Sequence, residues 1–198
     1  ASCNDCIFSY FLNMFWFFKS VFQFKLGSIY FLGLPSVRIK GNISIGENIK
    51  VGSNFKLTVP KSSVFIIRSG TIIGNNVSIT VAPGKKIEFG EGVRINDYCM
   101  FSGHIEVGDR SIFSAFSTII SDSHSINDDL PIDEADKLFG LVEGRVKLLN
   151  DSFIGIKASI IGDTELKIRG VVPANVAFIN YHGDKRVVGG IKKSARNL

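Results

Sequence analysis

Large apolar residues recur at every sixth position along most of this 198-residue chain. A period of six fits neither an α-helix, which repeats every 3.6 residues, nor a simple strand, which repeats every two. A fixed short period of this kind indicates a repeat architecture, in which each unit adds one piece of a solenoid. The longest unbroken stretch runs from Phe89 to His124. In four blocks, the column consists of Ile39, Ile45, Val51, Leu57; Ile67, Ile73, Ile79; Phe89, Ile95, Phe101, Val107, Phe113, Ile119; and Leu148, Ile154, Ile160, Leu166, Val172, Phe178.

A second column lies four residues after each core position that another hexapeptide or coil follows directly, and this column, from Ile43 to Val176, contains no charged residue. From Ser111 onward most of its members are small, which leaves room for the backbone to turn a corner beside the core. Glycine often follows the core position and Asn or Asp comes next, as in Gly52 and Asn54, and these residues tolerate the positive φ that corners require. Each hexapeptide therefore predicts a short strand and a corner. With three hexapeptides to a coil, the sequence predicts about six coils.

An antiparallel β-sandwich is the alternative fold, but it predicts a period of two with turns every 8 to 12 residues. The repeat breaks briefly at 58–66 and 80–88, where Pro60 and Pro83 indicate loops extruded from a corner. A long break covers 120–147 and begins at the cluster Ser121-Asp122-Ser123-His124-Ser125. Long loops on rigid scaffolds are typically functional. We therefore expect an all-β solenoid with one long functional loop.

Residues 7–34 are dense in aromatic side chains, among them Phe15 and Trp16. Interruptions such as Lys19 keep the apolar run shorter than the roughly 20 residues of a membrane-spanning helix, and the features of a signal peptide are missing. The segment predicts one helix, which either caps the hydrophobic end of the solenoid or lies on a membrane surface; we favour the cap. The predicted organisation is an N-terminal cap at 1–36, a β-helix domain at 37–180 and a basic tail at 181–198.

The charge and cysteine composition of the chain limit the classes of partner and ligand that it is expected to bind. The net charge of +5 is modest, and no basic stripe is interleaved with exposed aromatics, which argues against nucleic acid as a partner. The C-terminal basic cluster that includes Lys192 either suits a phosphorylated ligand or is a solvated tail. Cys3 and Cys6 form a lone C-x-x-C, which is weak evidence for zinc, and Cys99 fits a buried structural thiol. An odd count of three cysteines favours a reducing, cytoplasmic location, with membrane association through the N-terminal segment left open.

His124 lies where the unbroken repeat ends, and histidine is well suited to accept a proton near neutral pH. In an extended D-x-H segment the side chains of Asp122 and His124 point to the same face, so Asp122 could orient the imidazole ring. A backbone carbonyl is an equal candidate for that role. The alternative interpretation of His124 is a solvated loop residue. We expect no metal site, because the three histidines are 20 and 58 residues apart, unlike the closely spaced ligands of a zinc site.

The repeat text, as in Ile45-Gly46-Glu47-Asn48, and the D-x-H cluster before a long loop resemble the hexapeptide-repeat acyltransferases. Within that family the chain is most similar to the O-acetyltransferases of sugars and surface polysaccharides, over residues 37–180. The resemblance implies a left-handed parallel β-helix, acetyl-CoA as acyl donor and a homotrimer with grooves between subunits. It also implies that His124 is the general base that deprotonates the acceptor hydroxyl.

The same resemblance implies further site residues. Relatives have an Asn, twelve residues before an I-G-D turn, that contacts the reacting groups, and Asn96 has this spacing to Gly108. Asn96 is therefore a candidate catalytic residue, and the alternative interpretation is a corner residue with positive φ. They usually have an acidic residue at the position of His104, which is therefore a candidate acceptor contact.

For the coenzyme A arm, the resemblance implies three residues after the long loop. Phe153 stands where many relatives have Trp, Ile156 replaces a small polar residue, and Ala174 matches a small residue one coil later. Lys192 is the candidate contact for the phosphates. The family's terminal G-x-P is missing after Asn175.

The predicted function is thus acetyl transfer to a hydroxyl of a sugar or polysaccharide. Two alternatives stay open: an N-acyltransferase acting on an amino nucleotide sugar, and a non-catalytic solenoid that binds a partner.

Overall fold

The computed structural model describes residues 24–26, 29–124 and 131–179. Within these ranges the chain forms 23 strands and one helix. The first strands are β1 (Phe24–Leu26), β2 (Ile29–Phe31), β3 (Ser36–Ile39), β4 (Asn42–Ile45), β5 (Ile49–Val51), β6 (Lys56–Val59), β7 (Val64–Ile67), β8 (Ile72–Ile73), β9 (Ser78–Val81), β10 (Lys86–Phe89), β11 (Arg94–Ile95), β12 (Met100–Gly103) and β13 (Ile105–Val107). They are followed by β14 (Ile112–Phe113), β15 (Thr118–Ile120), β16 (Ser123–His124), α1 (Ile132–Phe139), β17 (Leu141–Val142), β18 (Val146–Leu148), β19 (Phe153–Ile154), β20 (Ser159–Ile161), β21 (Thr164–Leu166), β22 (Val171–Val172) and β23 (Ala177–Ile179).

Three parallel sheets form the faces of a solenoid. Sheet A contains β2, β5, β8, β11, β14, β19 and β22, with β1 added antiparallel to β2. Sheet B contains β3, β6, β9, β12, β15, β20 and β23, and sheet C contains β4, β7, β10, β13, β18 and β21. Successive strands fall in sheets A, B and C in turn, so three strands make one coil and the described chain completes about six coils. The predicted all-β parallel solenoid is confirmed, whereas its left-handedness stays a prediction.

The hexapeptide column forms the core, as predicted. Phe89, Phe101 and Phe113 have 0% of their surface exposed, and their rings pack edge to face with centroids 5.1 and 4.9 Å apart. Each such pair adds about 0.5–1.5 kcal/mol beyond the burial of apolar area. Only near the N-terminal end of the described column are members exposed, with Ile39 at 41% and Ile45 at 40%.

The three corners of each coil are called A–B, B–C and C–A after the sheets that they join. The predicted positive φ is found at the A–B corner, where Asn54 and Asn76 have φ of 54° and 57°. In the following coils the same place is taken by Tyr98 and Phe116, with φ of 60° and 62°. Their rings stack with centroids 4.8 Å apart. Because coils are about 4.8 Å apart, ring stacking offsets part of the cost of this strained conformation.

All three predicted breaks leave the solenoid at the B–C corner. The two short ones are tight turns between β6 and β7 and between β9 and β10. The long one contains β16, α1 and β17, and β16 pairs antiparallel with β17 to form a two-stranded ribbon. All three insertions thus lie along one edge of the solenoid, and the candidate general base His124 lies at the same edge.

The solenoid begins ahead of the predicted boundary at residue 37, because β2 and part of β3 precede it. Residues 1–23 lie outside the described ranges, and so does most of the predicted helical cap. The basic tail with Lys192 also lies outside them. In the described part of the chain, no helix reaches the length and apolarity that a membrane crossing requires.

Candidate active site

His124 lies in the ribbon at the base of the long loop. Its backbone pairs with Leu141, and the preceding Ser123 pairs with Val142. The ribbon follows directly from the end of β15 in sheet B, so the rigid coil determines where it starts. His124 is exposed, which leaves it accessible to a substrate.

Ser121 and Asp122 connect the two roots of this loop. Ser121 is fully buried; its Oγ accepts a hydrogen bond from the backbone N–H of His104 at 2.8 Å and donates one to Asp122 Oδ1 at 2.7 Å. The same carboxylate oxygen accepts from the backbone N–H of Gly144, where the loop returns, at 3.4 Å. Asp122 is therefore held by backbone and side-chain bonds, and its proposed effect on the His124 ring stays a prediction.

His104 lies at the same corner, one coil before Asp122, and faces a cluster of charges. Its Nε2 is 3.6 Å from Glu106 Oε1. Glu106 in turn pairs with Lys86 at 3.0 Å and with Arg145 at 2.6 Å. Partial burial lowers the pKa of His104; Glu106 opposes this, while Arg145 and Lys86 add to it. His104 is consequently neutral near pH 7, able to donate one hydrogen bond and accept another.

Asn96 lies at the opposite edge of sheet B. It follows β11 at the A–B corner, where its backbone N–H donates to Phe113 O at 2.9 Å. Asn96 does not have a positive φ, and Tyr98 has that conformation at the corner of this coil. Strands β12 and β15, of four and three residues, separate the A–B corner from the B–C corner by roughly 10–13 Å. A single chain therefore places Asn96 and His124 apart.

The three residues expected to hold the coenzyme A arm do lie close together. Phe153 points outward from sheet A and is 41% exposed, while Ile156 is 44% exposed at the A–B corner of the same coil. Ala174 is exposed at this corner one coil later. The coils pack tightly here: a Cβ on Gly155 would lie 2.4 Å from Ala174 N, and Asn175 N–H donates to Ile156 O at 2.9 Å. All three side chains are thus exposed at or beside the A–B corner of two neighbouring coils.

Cys99 is a structural thiol, as the sequence predicted. It is 1% exposed, and its Sγ lies 3.2 Å from Ser114 O. Burial raises the pKa of Cys99, although contacts with Ser117 oppose the shift. The thiol therefore stays protonated and unreactive. Within residues 24–26, 29–124 and 131–179, no group of three or more His, Cys, Asp or Glu is placed to hold a metal ion.

Three residues at or beside the B–C corner that shape the candidate site were not identified from the sequence: Gly103, Gly144 and Glu106. Gly103 lies directly before His104 and has φ of 113°. Its identity as glycine was a usable signal in the sequence, because glycine is favoured where two backbones approach closely. Glu106 gave no such signal, since its partners come from other coils.

No protein-family model matches this sequence, and no curated protein does. Several solved structures resemble it, and two of them are described by their names. One is a Bacillus cereus protein with an acetyltransferase assignment, at 15% identity and a TM-score of 0.35, covering 72% of this chain and 71% of that one. The other is the polySia-specific acetyltransferase NeuO, at 13% identity and a TM-score of 0.42, covering 87% of this chain and 93% of that one. The parallel β-solenoid itself is consistent with a hexapeptide-repeat acyltransferase.

Proposed function

We propose that this protein is an acetyl-CoA-dependent O-acetyltransferase that acts on a hydroxyl of a sugar or polysaccharide. The observation on which the proposal rests is the placement of His124. It is an exposed imidazole on a backbone-paired ribbon, at the edge of a rigid coil where the predicted insertions leave the solenoid. General bases need such a defined position together with a pKa near the working pH.

In the proposed reaction, the His124 imidazole removes the proton of the acceptor hydroxyl as its oxygen attacks the thioester carbonyl of acetyl-CoA. The resulting tetrahedral oxyanion requires hydrogen-bond donors, and backbone N–H groups at the corners are of the right kind. The C–S bond then breaks, and the departing thiolate takes the proton from the imidazolium. The products are the acetyl ester and free coenzyme A, and the base is regenerated.

The exposed surface of Phe153, Ile156 and Ala174 would hold the pantetheine arm of coenzyme A. Its apolar character suits that arm, and Lys192 stays a candidate for the phosphates. In one chain this surface lies near the A–B corner, whereas His124 lies at the B–C corner. A complete site needs both corners. We therefore favour the homotrimer that the family resemblance implies, in which the B–C corner of one copy faces the A–B corner of the next.

His104 is the proposed acceptor contact, and Asn96 is the residue proposed to contact the reacting groups. A neutral His104 can both donate to and accept from sugar hydroxyls, whereas the acidic residue usual in relatives can only accept when ionised. This difference is consistent with an acceptor that presents both donors and acceptors. An acceptor screen with acetyl-CoA would distinguish hydroxyl from amino acceptors.

The deciding experiment compares His124→Ala with the wild type in acetyl transfer, with Val142→Ala as matched control. Val142 is on the other strand of the ribbon and 52% exposed, so its truncation tests simple disturbance of the ribbon. Loss of a general base should lower kcat by about 10²–10⁴-fold, with unchanged affinity for coenzyme A in calorimetry. Near-normal turnover by His124→Ala would contradict the assignment, and absence of coenzyme A binding to the wild type would favour a non-catalytic solenoid.

A further inference from the structure

The long loop is fastened to the solenoid by four residues at the B–C corner: Gly103, Ser121, Asp122 and Gly144. We call this group the loop clamp. Its centre is the Ser121 hydroxyl, which is fully buried and both accepts from His104 N–H at 2.8 Å and donates to Asp122 at 2.7 Å. One hydroxyl thus connects the preceding coil to the residue that begins the loop.

Both glycines are needed for this geometry. A Cβ on Gly103 would lie 2.0 Å from Ser121 Oγ, and its φ of 113° is one that other residues rarely adopt. A Cβ on Gly144 would lie 2.2 Å from the backbone carbonyl oxygen of Ser121. The backbones on both sides of Ser121 therefore approach it more closely than any side chain would allow.

The clamp also sets the distance between the two roots of the loop. Asp122 is on the outgoing root and accepts from Gly144 N–H on the returning root at 3.4 Å. Directly beyond the clamp, the chain forms the pairs Ser123–Val142 and His124–Leu141. The ribbon therefore starts from a closed base whose geometry depends on one buried hydroxyl.

We infer that Ser121 is a positioning residue: through the loop clamp it holds the ribbon in register and so places His124 at the edge of sheet B. The catalytic consequence rests on the proposed function. The structural consequence, an ordered ribbon, does not, and it can be measured without any substrate.

The chain offers a close control in Ser63. This residue is equally buried and also lies at the B–C corner. Its Oγ donates to Ala82 O at 3.0 Å and accepts from Gly84 N–H at 3.0 Å. Ser63→Ala thus removes the same kind of hydroxyl from another turn at the same edge.

The test is hydrogen exchange of the full-length protein, followed by mass spectrometry of peptides that contain 121–124 and 141–144. In Ser121→Ala, these amides should exchange about tenfold faster or more, because local opening becomes easier, while sheet strands are unchanged. Ser63→Ala should speed exchange only near 82–85. Asp122→Ala removes the partly exposed end of the clamp and should open the ribbon even if Ser121→Ala fails to fold.

Steady-state kinetics add a second measurement. Ser121→Ala should lower kcat while leaving KM for acetyl-CoA unchanged, because the proposed coenzyme A surface lies near the A–B corner. Unchanged ribbon exchange in both Ser121→Ala and Asp122→Ala, or equal acceleration there in Ser63→Ala, would overturn the inference. If the ribbon opens as expected but the wild type transfers no acetyl group, the proposed function fails and the clamp stands.

Discussion

At the scale of single residues, His104 shows how the solenoid changes the chemistry of a side chain. Strand pairing sets Glu106 between neighbouring coils, and Lys86 from the coil before and Arg145 from the coil after reach its carboxylate at 3.0 and 2.6 Å. Burial lowers the pKa of His104. Burial acts to raise the pKa of Glu106, but hydrogen bonds from Arg145 and Lys86 hold it below its ordinary value. Both shifts therefore link stability to pH.

The sign of both shifts is the same. Because the pKa of His104 is lower in the folded state, the unfolded chain binds more protons once the pH falls below about 6.5. Stability should then decrease with falling pH until the folded pKa is passed. The stabilisation by Glu106 is present above about pH 4.5 and is lost as the pH falls through its lower folded pKa.

We therefore predict that His104→Gln removes the upper part of this acid dependence and retains the lower part. The measurement is the free energy of unfolding in urea at half-unit steps between pH 8 and pH 4. His104→Gln keeps a neutral side chain with a donor and an acceptor, so its stability near pH 8 should match the wild type. An identical decline in both proteins between pH 7 and pH 5.5 would contradict the assigned environment of His104.

At the scale of elements, the strands could be predicted because the residues of each hexapeptide show by themselves which side chain is buried. The core column and the loops at 58–66 and 80–88 could be read directly from spacing. The positive φ at Tyr98 and Phe116 could not, because their conformation is supported by stacking on a neighbouring coil and not by their own propensity. The ribbon of β16 and β17 could not be predicted from the sequence either, since its two strands are only two residues long and 16 residues lie between them.

The coils pack so closely that a glycine beside the core should tolerate no side chain. A Cβ on Gly90 would lie 2.7 Å from Asp109 N and 2.8 Å from Gly108 C in the next coil. We predict that Gly90→Ala lowers the free energy of unfolding by about 1–3 kcal/mol or more, as overpacking in a tight interior does. The matched change is Gly33→Ala, whose Cβ would lie 3.3 Å from Ser53 Cα and Cβ, a tight contact that a small shift relieves. Equal costs in thermal or urea unfolding would contradict the tight stacking of coils at this corner.

At the scale of the whole molecule, the geometry of the solenoid separates its candidate functional residues. Sheet B has the loop clamp, His104 and His124 at one edge, and Asn96 at the other. The surface of Phe153, Ile156 and Ala174 lies on the side of Asn96. The sequence and its family resemblance pointed to the histidines, Asn96 and the three apolar residues one by one, but they could not show that one chain divides them between two corners. That division follows only from the order of sheets A, B and C around the coil.

The proposed homotrimer can therefore be tested by complementation between two inactive variants. His124→Ala removes the base at the B–C corner, and Ala174→Trp, at an exposed position, blocks the proposed coenzyme A surface near the A–B corner. Each variant alone should be inactive. In a mixed trimer, which contains two copies of one variant and one copy of the other, one of the three sites would combine an intact His124 with an intact Ala174 from the neighbouring copy.

Co-expression with two different affinity tags and sequential purification would yield such mixed assemblies, and acetyl transfer would be compared with wild-type assemblies purified in the same way. Recovery towards a third of the wild-type rate is the expected result. Mixed assemblies that stay as inactive as their parents would show that both residues serve the same site within one chain. Because the two corners are a strand apart in one copy, that outcome would require a site that extends across the outer face of sheet B.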